Sequence, residues 1–181
     1  PVNMFNLANA VVNFGGAADT IDISAGFGAT VATSAIPALV VSGNSGGVAF
    51  EQVHISGNTN VEINTVTGGS DAADSVTITS GANAHANANI TIDTGVGADT
   101  IEVDGPLMVG AGGAISLTSG GSISVNNTIT AGLAVTLTAL TGSISDGNGA
   151  IVNVATGLLV AQAATGVANA IDLDTTITSL I

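Results

Sequence analysis

The sequence predicts an all-β fold, a right-handed parallel β-helix with coils of about 20 to 25 residues. Three observations predict it. Aliphatic residues alternate with Thr, Ser, Asn or acidic residues over short segments. Most of these segments stop at glycine. Whole segments recur along the chain at offsets too short for a separately folded unit, so each coil must bury its apolar face against the next.

In chain order, the first family of repeats is "ADTIDISAG" (18–26), "ADSVTITSG" (73–81) and "ADTIEVDG" (98–105), spaced by 55 and then 25 residues. "NITIDTG" (89–95) alternates in the same way. The second family is "ISLTSGGSIS" (115–124), which returns as "VTLTALTGSIS" (135–145), 20 to 21 residues on, and as "LVAQAATGVAN" (159–169), 24 further. In each, alternate Val, Ile and Leu face one side of a strand, which places Ile115, Leu117, Ile123, Val135, Leu137 and Ile144 inward. Only the Ala-rich 158–171 competes as a helix, and its recurrence favours strands. Right-handedness follows from the rule for parallel crossovers. A β-sandwich is the alternative fold, but it does not account for the repeat. The chain reads as one domain, 1–181, with irregular coils and acidic Gly-rich turns in 1–111 and more regular coils in 112–181.

Val, Ile, Leu and Phe supply 52 of the 181 residues, above the level below which chains stay disordered. There is no Lys or Arg against 13 acids, a net charge of −13. Nucleic acid is excluded as a partner, because phosphate binding rests on Lys and Arg, and so is an anionic membrane surface. Trypsin has no site to cleave. Cysteine is absent, so there is neither a disulfide nor a thiolate metal site. The most apolar stretch, 154–171, is broken by Gly157, Gln162, Gly166 and Asn169 and makes a poor membrane span.

Uncompensated carboxylates either repel one another or bind cations. "TGVGADTIE" resembles the Gly- and Asp-rich nonapeptide of RTX proteins: Gly95, Gly97, Asp99 and Ile101 match its second, fourth, sixth and eighth positions, while Thr94 departs from the first. Weaker copies keep Gly15, Asp19 and Ile21, with Ala17 departing, and Gly69, Asp74 and Val76. The resemblance implies calcium, with Asp19, Asp74, Asp99 and Asp104 as candidate ligands. The copies are isolated, and an Asp that stabilises a turn before a strand is the other reading of the same residues. Glu102 and Asp104 share a strand face and have the residue types of a hydrolase pair. The absence of Arg, Lys, Trp and Tyr argues against a polysaccharide-cleaving β-helix, so no catalytic residue and no enzyme is expected. His54 and His85 sit in polar segments as solvated residues, and Asn89 and Asn126 match the glycosylation sequon.

Residues 112–181 resemble the repeat region of filamentous-haemagglutinin-type exoproteins. The matching residues are Leu137, Ala139, Gly142, Ile144, Asp146 to Gly149, Ala164, Gly166, Val167, Ala170, Ile171 and Thr175. The resemblance implies an extracellular structural β-solenoid segment of a secreted adhesin or surface exoprotein. The alternative is a self-assembling subunit of an extracellular fibre or matrix; a polysaccharide-binding or -degrading β-helix is a distant third. The partner is the rest of a larger chain or a second copy, with no membrane insertion and with calcium as the one cofactor in view. Both ends are apolar and lack a polar cap, as expected of a cut segment or of a subunit joined end to end.

Overall fold

The computed structural model describes residues 2–5, 7–15, 17–27, 37–67, 71–80, 82–83, 88–164 and 171–180. These residues form strands and turns, with no helix among them. The first strands are β1 (Val2–Phe5), β2 (Asn9–Gly15), β3 (Asp19–Phe27), β4 (Pro37–Ser45), β5 (Val48–Ala49) and β6 (Val53–Ser56). Next come β7 (Asn60–Thr67), β8 (Ser75–Ser80), β9 (Ala82–Asn83), β10 (Asn89–Asp93), β11 (Thr100–Val103) and β12 (Leu107–Met108). The last are β13 (Ala114–Ser119), β14 (Ser122–Val125), β15 (Ile129–Ala139), β16 (Ile144–Asp146), β17 (Val154–Gln162) and β18 (Thr175–Leu180).

Two sheets take these strands. The first runs β1-β6-β4-β3-β8-β11-β14-β16, with β5 beside β4; the second runs β18-β17-β15-β13-β10-β7-β2, with β12 between β15 and β9. From β6 onward the chain passes back and forth between the sheets. β8 is laid parallel to β3, and from there β11, β14 and β16 in the first sheet and β10, β13, β15 and β17 in the second are each laid parallel to the strand before; β10 pairing with β13 carries the second sheet across residues 111 and 112. The repeats seen in the sequence are the register. Ile115 lies opposite Val135, and Val135 opposite Leu159; Ile123 lies opposite Ile144. Val76 lies between Ile21 and Ile101.

The alternation therefore becomes vertical columns. Ile21, Val76, Ile101, Ile123 and Ile144 form one; Val61, Ile90, Ile115, Val135 and Leu159 form another. All of them belong to one apolar core, as do the six residues expected inward, each at most 1% exposed. Burying one such side chain stabilises by roughly 1.5 to 3 kcal/mol. Aliphatic columns suit this geometry because identical shapes recur every 4.7–4.9 Å between strands.

The expectation of parallel pairing fails in one place. β4 pairs antiparallel with β3, β5 and β6. β4 and β5 are joined by Gly46 and Gly47, whose φ of 58° and 79° suit the two-residue hairpin turn that needs φ above zero at both central residues. The nine residues between β3 and β4 are fewer than a parallel crossover needs. This insertion explains why the first two copies of the Asp motif stand 55 apart and the next two only 25. In 158–171, β17 is extended to Gln162 and Ile171 bridges to Ile144; residues 165–170 lie outside the described residues.

Candidate functional site

Thr20, Ser75, Thr100 and Ser122 occupy one register row of the first sheet. Asp19, Asp74 and Asp99 accordingly stack at the entry to three neighbouring strands, β3, β8 and β11. They are 1%, 3% and 1% exposed. Each holds the next: the Asp19 amide donates to Asp74 Oδ1 at 2.8 Å and the Asp74 amide donates to Asp99 Oδ1 at 2.9 Å. The fourth place in the row is Gly121, where the Ser122 amide donates to the Asp99 carbonyl at 3.1 Å.

The turn before β8 adds Asp71, which reaches the turn before β11. Its Oδ2 accepts the amides of Val96 and Gly97, the latter at 2.7 Å. One oxygen each from Asp71, Asp74 and Asp99 lies within 4.8 Å of the other two, and this is the one group of three or more potential metal-ligating side chains among the described residues. The second sheet contributes buried hydroxyls. Thr65 lies near the end of β7, Thr94 follows β10 and Ser119 ends β13, each one residue past the register row of Asn64, Asp93 and Thr118, and all are fully buried. Ser119 Oγ donates to the Asp99 carbonyl at 3.2 Å, and Thr94 Oγ1 accepts the Gly120 amide at 3.2 Å.

Burial pushes the carboxyls of Asp74 and Asp99 above the ordinary carboxylate value. The Asp19 and Asp74 amides and the Thr65 and Thr94 hydroxyls pull the other way, and neighbouring carboxylates add repulsion. Asp146, in the "DGNG" turn, is shifted down by the Asn148 amide, which donates to it at 2.7 Å, and by the Asn153 side chain.

Of the four acids expected to bind calcium, Asp74 and Asp99 come together. Asp19 continues their ladder but lies outside the three-oxygen group. Asp104 stands beyond the far end of β11, exposed, where Asn126 Nδ2 donates to its Oδ1 at 2.6 Å. Glu102 is also exposed on β11, where the neighbouring strands present Thr77 and Ser124 beside it. His54 is half-buried on β6, opposite Asn3 and Val40; His85 lies outside the described residues. The two sequon asparagines are engaged in the sheet. Asn89 Nδ2 donates to Asn60 Oδ1 at 2.9 Å, continuing a surface ladder from Asn9, and Asn126 is held by Ser124 and Asp104.

Asp71 escaped the sequence reading. Its signal was a second acid three residues before Asp74 in the same Gly-rich turn, "GGSDAAD". The hydroxyl row had no signal, because Thr at the end of an alternating strand reads as surface. Comparison of the chain with protein-family models finds no match. No curated protein matches it, and no solved structure does.

Proposed function

We propose that this chain is a structural segment of an extracellular β-solenoid, a right-handed parallel β-helix that provides length and rigidity rather than chemistry. The observation that supports the reading is the register: outside the antiparallel insertion the strands of both sheets are stacked in parallel, with one apolar column continuing through five strands. A stack of this kind grows by adding coils, each contacting only its neighbours. The surface offers Thr, Ser, Asn and acids, and the chain has no lysine or arginine, which suits an exposed, soluble rod. No helix among the described residues is long and apolar enough to cross a membrane. On this reading the segment would serve as the repeat coils of filamentous-haemagglutinin-type adhesins do.

A self-assembling fibre subunit is the second reading. In its favour, β18 and β2 end the second sheet with no further strand beyond either among the described residues, and open edges of this kind pair with other chains. One experiment addresses both readings. Antibodies against this chain should label intact source cells without permeabilisation, and electron microscopy of the native material should show rods. Rods built from one polypeptide heavier than 17.2 kDa support the adhesin segment, whereas filaments of a subunit of that mass support the fibre. Labelling only after permeabilisation, with compact particles, would overturn both.

A further inference from the structure

We infer that Asp71, Asp74 and Asp99 form a calcium site that ties the turn before β8 to the turn before β11. The site goes beyond the structural role proposed above and does not depend on it.

Three carboxylates alone do not make a site, but two further observations point to a ligand here. The first concerns oxygens without partners. Each aspartate uses one oxygen to accept backbone amides, and the other, Asp71 Oδ1, Asp74 Oδ2 and Asp99 Oδ2, is buried with no partner at hydrogen-bond distance; the Thr65 and Thr94 hydroxyls are the neutral groups that act on Asp74 and Asp99. Asp74 and Asp99 are more than nine-tenths buried. An ionised oxygen withdrawn from water needs a hydrogen bond or a cation, and the chain contains no lysine or arginine to supply one.

The second is a cradle kept clear by glycine. A Cβ on Gly97 would come within 2.8 Å of Asp99 Oδ1, 2.9 Å of the Ala72 carbonyl oxygen and 3.4 Å of Asp71 Cγ. A Cβ on Gly120 would collide with Asp99 Oδ2 and the Gly97 carbonyl oxygen. Neither glycine has a left-handed φ, so room, not backbone conformation, is what glycine provides at both positions.

The donors select the ion. All three side chains offer oxygen, with no sulfur or imidazole in the group, which suits a hard cation. The three oxygens lie within 4.8 Å of one another, close enough to face one ion. Calcium accepts six to eight oxygens in flexible geometry, whereas magnesium demands a near-ideal octahedron and dehydrates reluctantly, so an irregular set of buried carboxylates suits calcium better. Half-buried Asp71 leaves an approach from solvent.

The test is equilibrium dialysis of the whole chain against radioactive calcium at about 0.15 M ionic strength, with magnesium in excess. High ionic strength screens diffuse attraction to a chain of net charge −13. One calcium should be retained per chain. Asp71→Asn keeps an oxygen for the Val96 and Gly97 amides but loses a charge, and should weaken retention about tenfold or more, since ligand charge sets calcium affinity; Asp104→Asn should change nothing. A second measurement uses the unaltered protein, so it does not depend on the variant folding. Terbium, excited directly, should bind with an emission lifetime showing that most of its water has been lost, and calcium should displace it where equal magnesium does not. No retention of calcium, retention unaltered by Asp71→Asn, displacement by magnesium, or a terbium ion that keeps its full hydration would each overturn the site and leave protons as the partners of these oxygens.

Discussion

Residues 75–162 and residues 2–67 contribute strands to the same two sheets by different arrangements. In the later region β8, β11, β14 and β16 follow one another in the first sheet, and β10, β13, β15 and β17 do so in the second, all parallel. In the earlier region β4 turns back between β3 and β6, and β1 pairs with β6 at the outer edge. The packing rule is nevertheless shared. Leu39, Val41, Val53 and Ile55 of the insertion join the same core as Ile101 and Leu137. Burial of alternate side chains constrains which face turns inward, but it does not constrain strand direction. Direction is decided by the length of the connection, and the insertion has short ones.

The sharpest way to break this comparison is to place a charge in each region. Leu137→Asp puts an unpaired carboxylate at a fully buried position, and should cost more than about 4 kcal/mol and unfold the stack. Val41→Asp is as buried but should melt the antiparallel insertion while hydrogen exchange stays slow in residues 75–162. Equal loss of protection in both variants would show that the two regions unfold as one unit.

Buried asparagines give a milder comparison. Asn153 donates to the Val125 carbonyl and to Asp146 and accepts the Asp174 amide, at 2.9, 3.1 and 2.8 Å, joining β14, β16 and the segment before β18. Asn58 accepts the Leu7 amide at 2.8 Å and donates to the Met4 carbonyl at 3.2 Å. Replacement by Ala should cost about 1 to 3 kcal/mol at either site, more at Asn153 because more groups lose partners. Denaturant midpoints will rank them.

Glycine serves the regions differently. Gly47 has φ of 79° and open space around it, so Gly47→Ala should cost only the conformational term, about 1 to 2 kcal/mol. Gly120→Ala meets Asp99 Oδ2 and the Gly97 backbone instead of strain, and should cost about 1 to 3 kcal/mol because backbone must shift to admit the methyl group. Thermal melts of the two variants separate strain from crowding.

The smallest effect is pH dependence, read in EDTA. Asp74 and Asp99 have folded pKa values raised above the ordinary 3.8, so the folded state binds their protons more tightly. Stability should be gained as pH falls through the folded values, be complete at about 3.8, and be lost again as pH rises. Asp146 has the opposite shift; its contribution is present above 3.8 and is lost as pH falls below it. Asp74→Asn should flatten the upper window and Asp146→Asn the lower. A profile that does not change in either variant would remove the ladder from the titration.

Much of this architecture was legible beforehand. The offsets between "ISLTSGGSIS" and "VTLTALTGSIS" are the register offsets, because a coil that buries its apolar face against the next must repeat its spacing. The inward set from Ile115 to Ile144 followed from period-two alternation alone. The antiparallel β4 was not legible, since its alternation is indistinguishable from that of a parallel strand. The glycine pair after it signals a turn but not which strands flank it in space.

The candidate site divides in the same way. That Asp19, Asp74 and Asp99 hold equivalent places was determined by the sequence, through the repeat of "ADT" and "ADS" before alternating strands. That two of them face Asp71 with an orphan oxygen each, while Asp104 stays in water beside Asn126, was decided only by the tertiary structure. A repeat specifies what lies above and below a residue along the stack. It is silent on which side chain a turn folds in from the flank, because that depends on the path of a few glycine-rich residues whose backbone has no preferred course of its own.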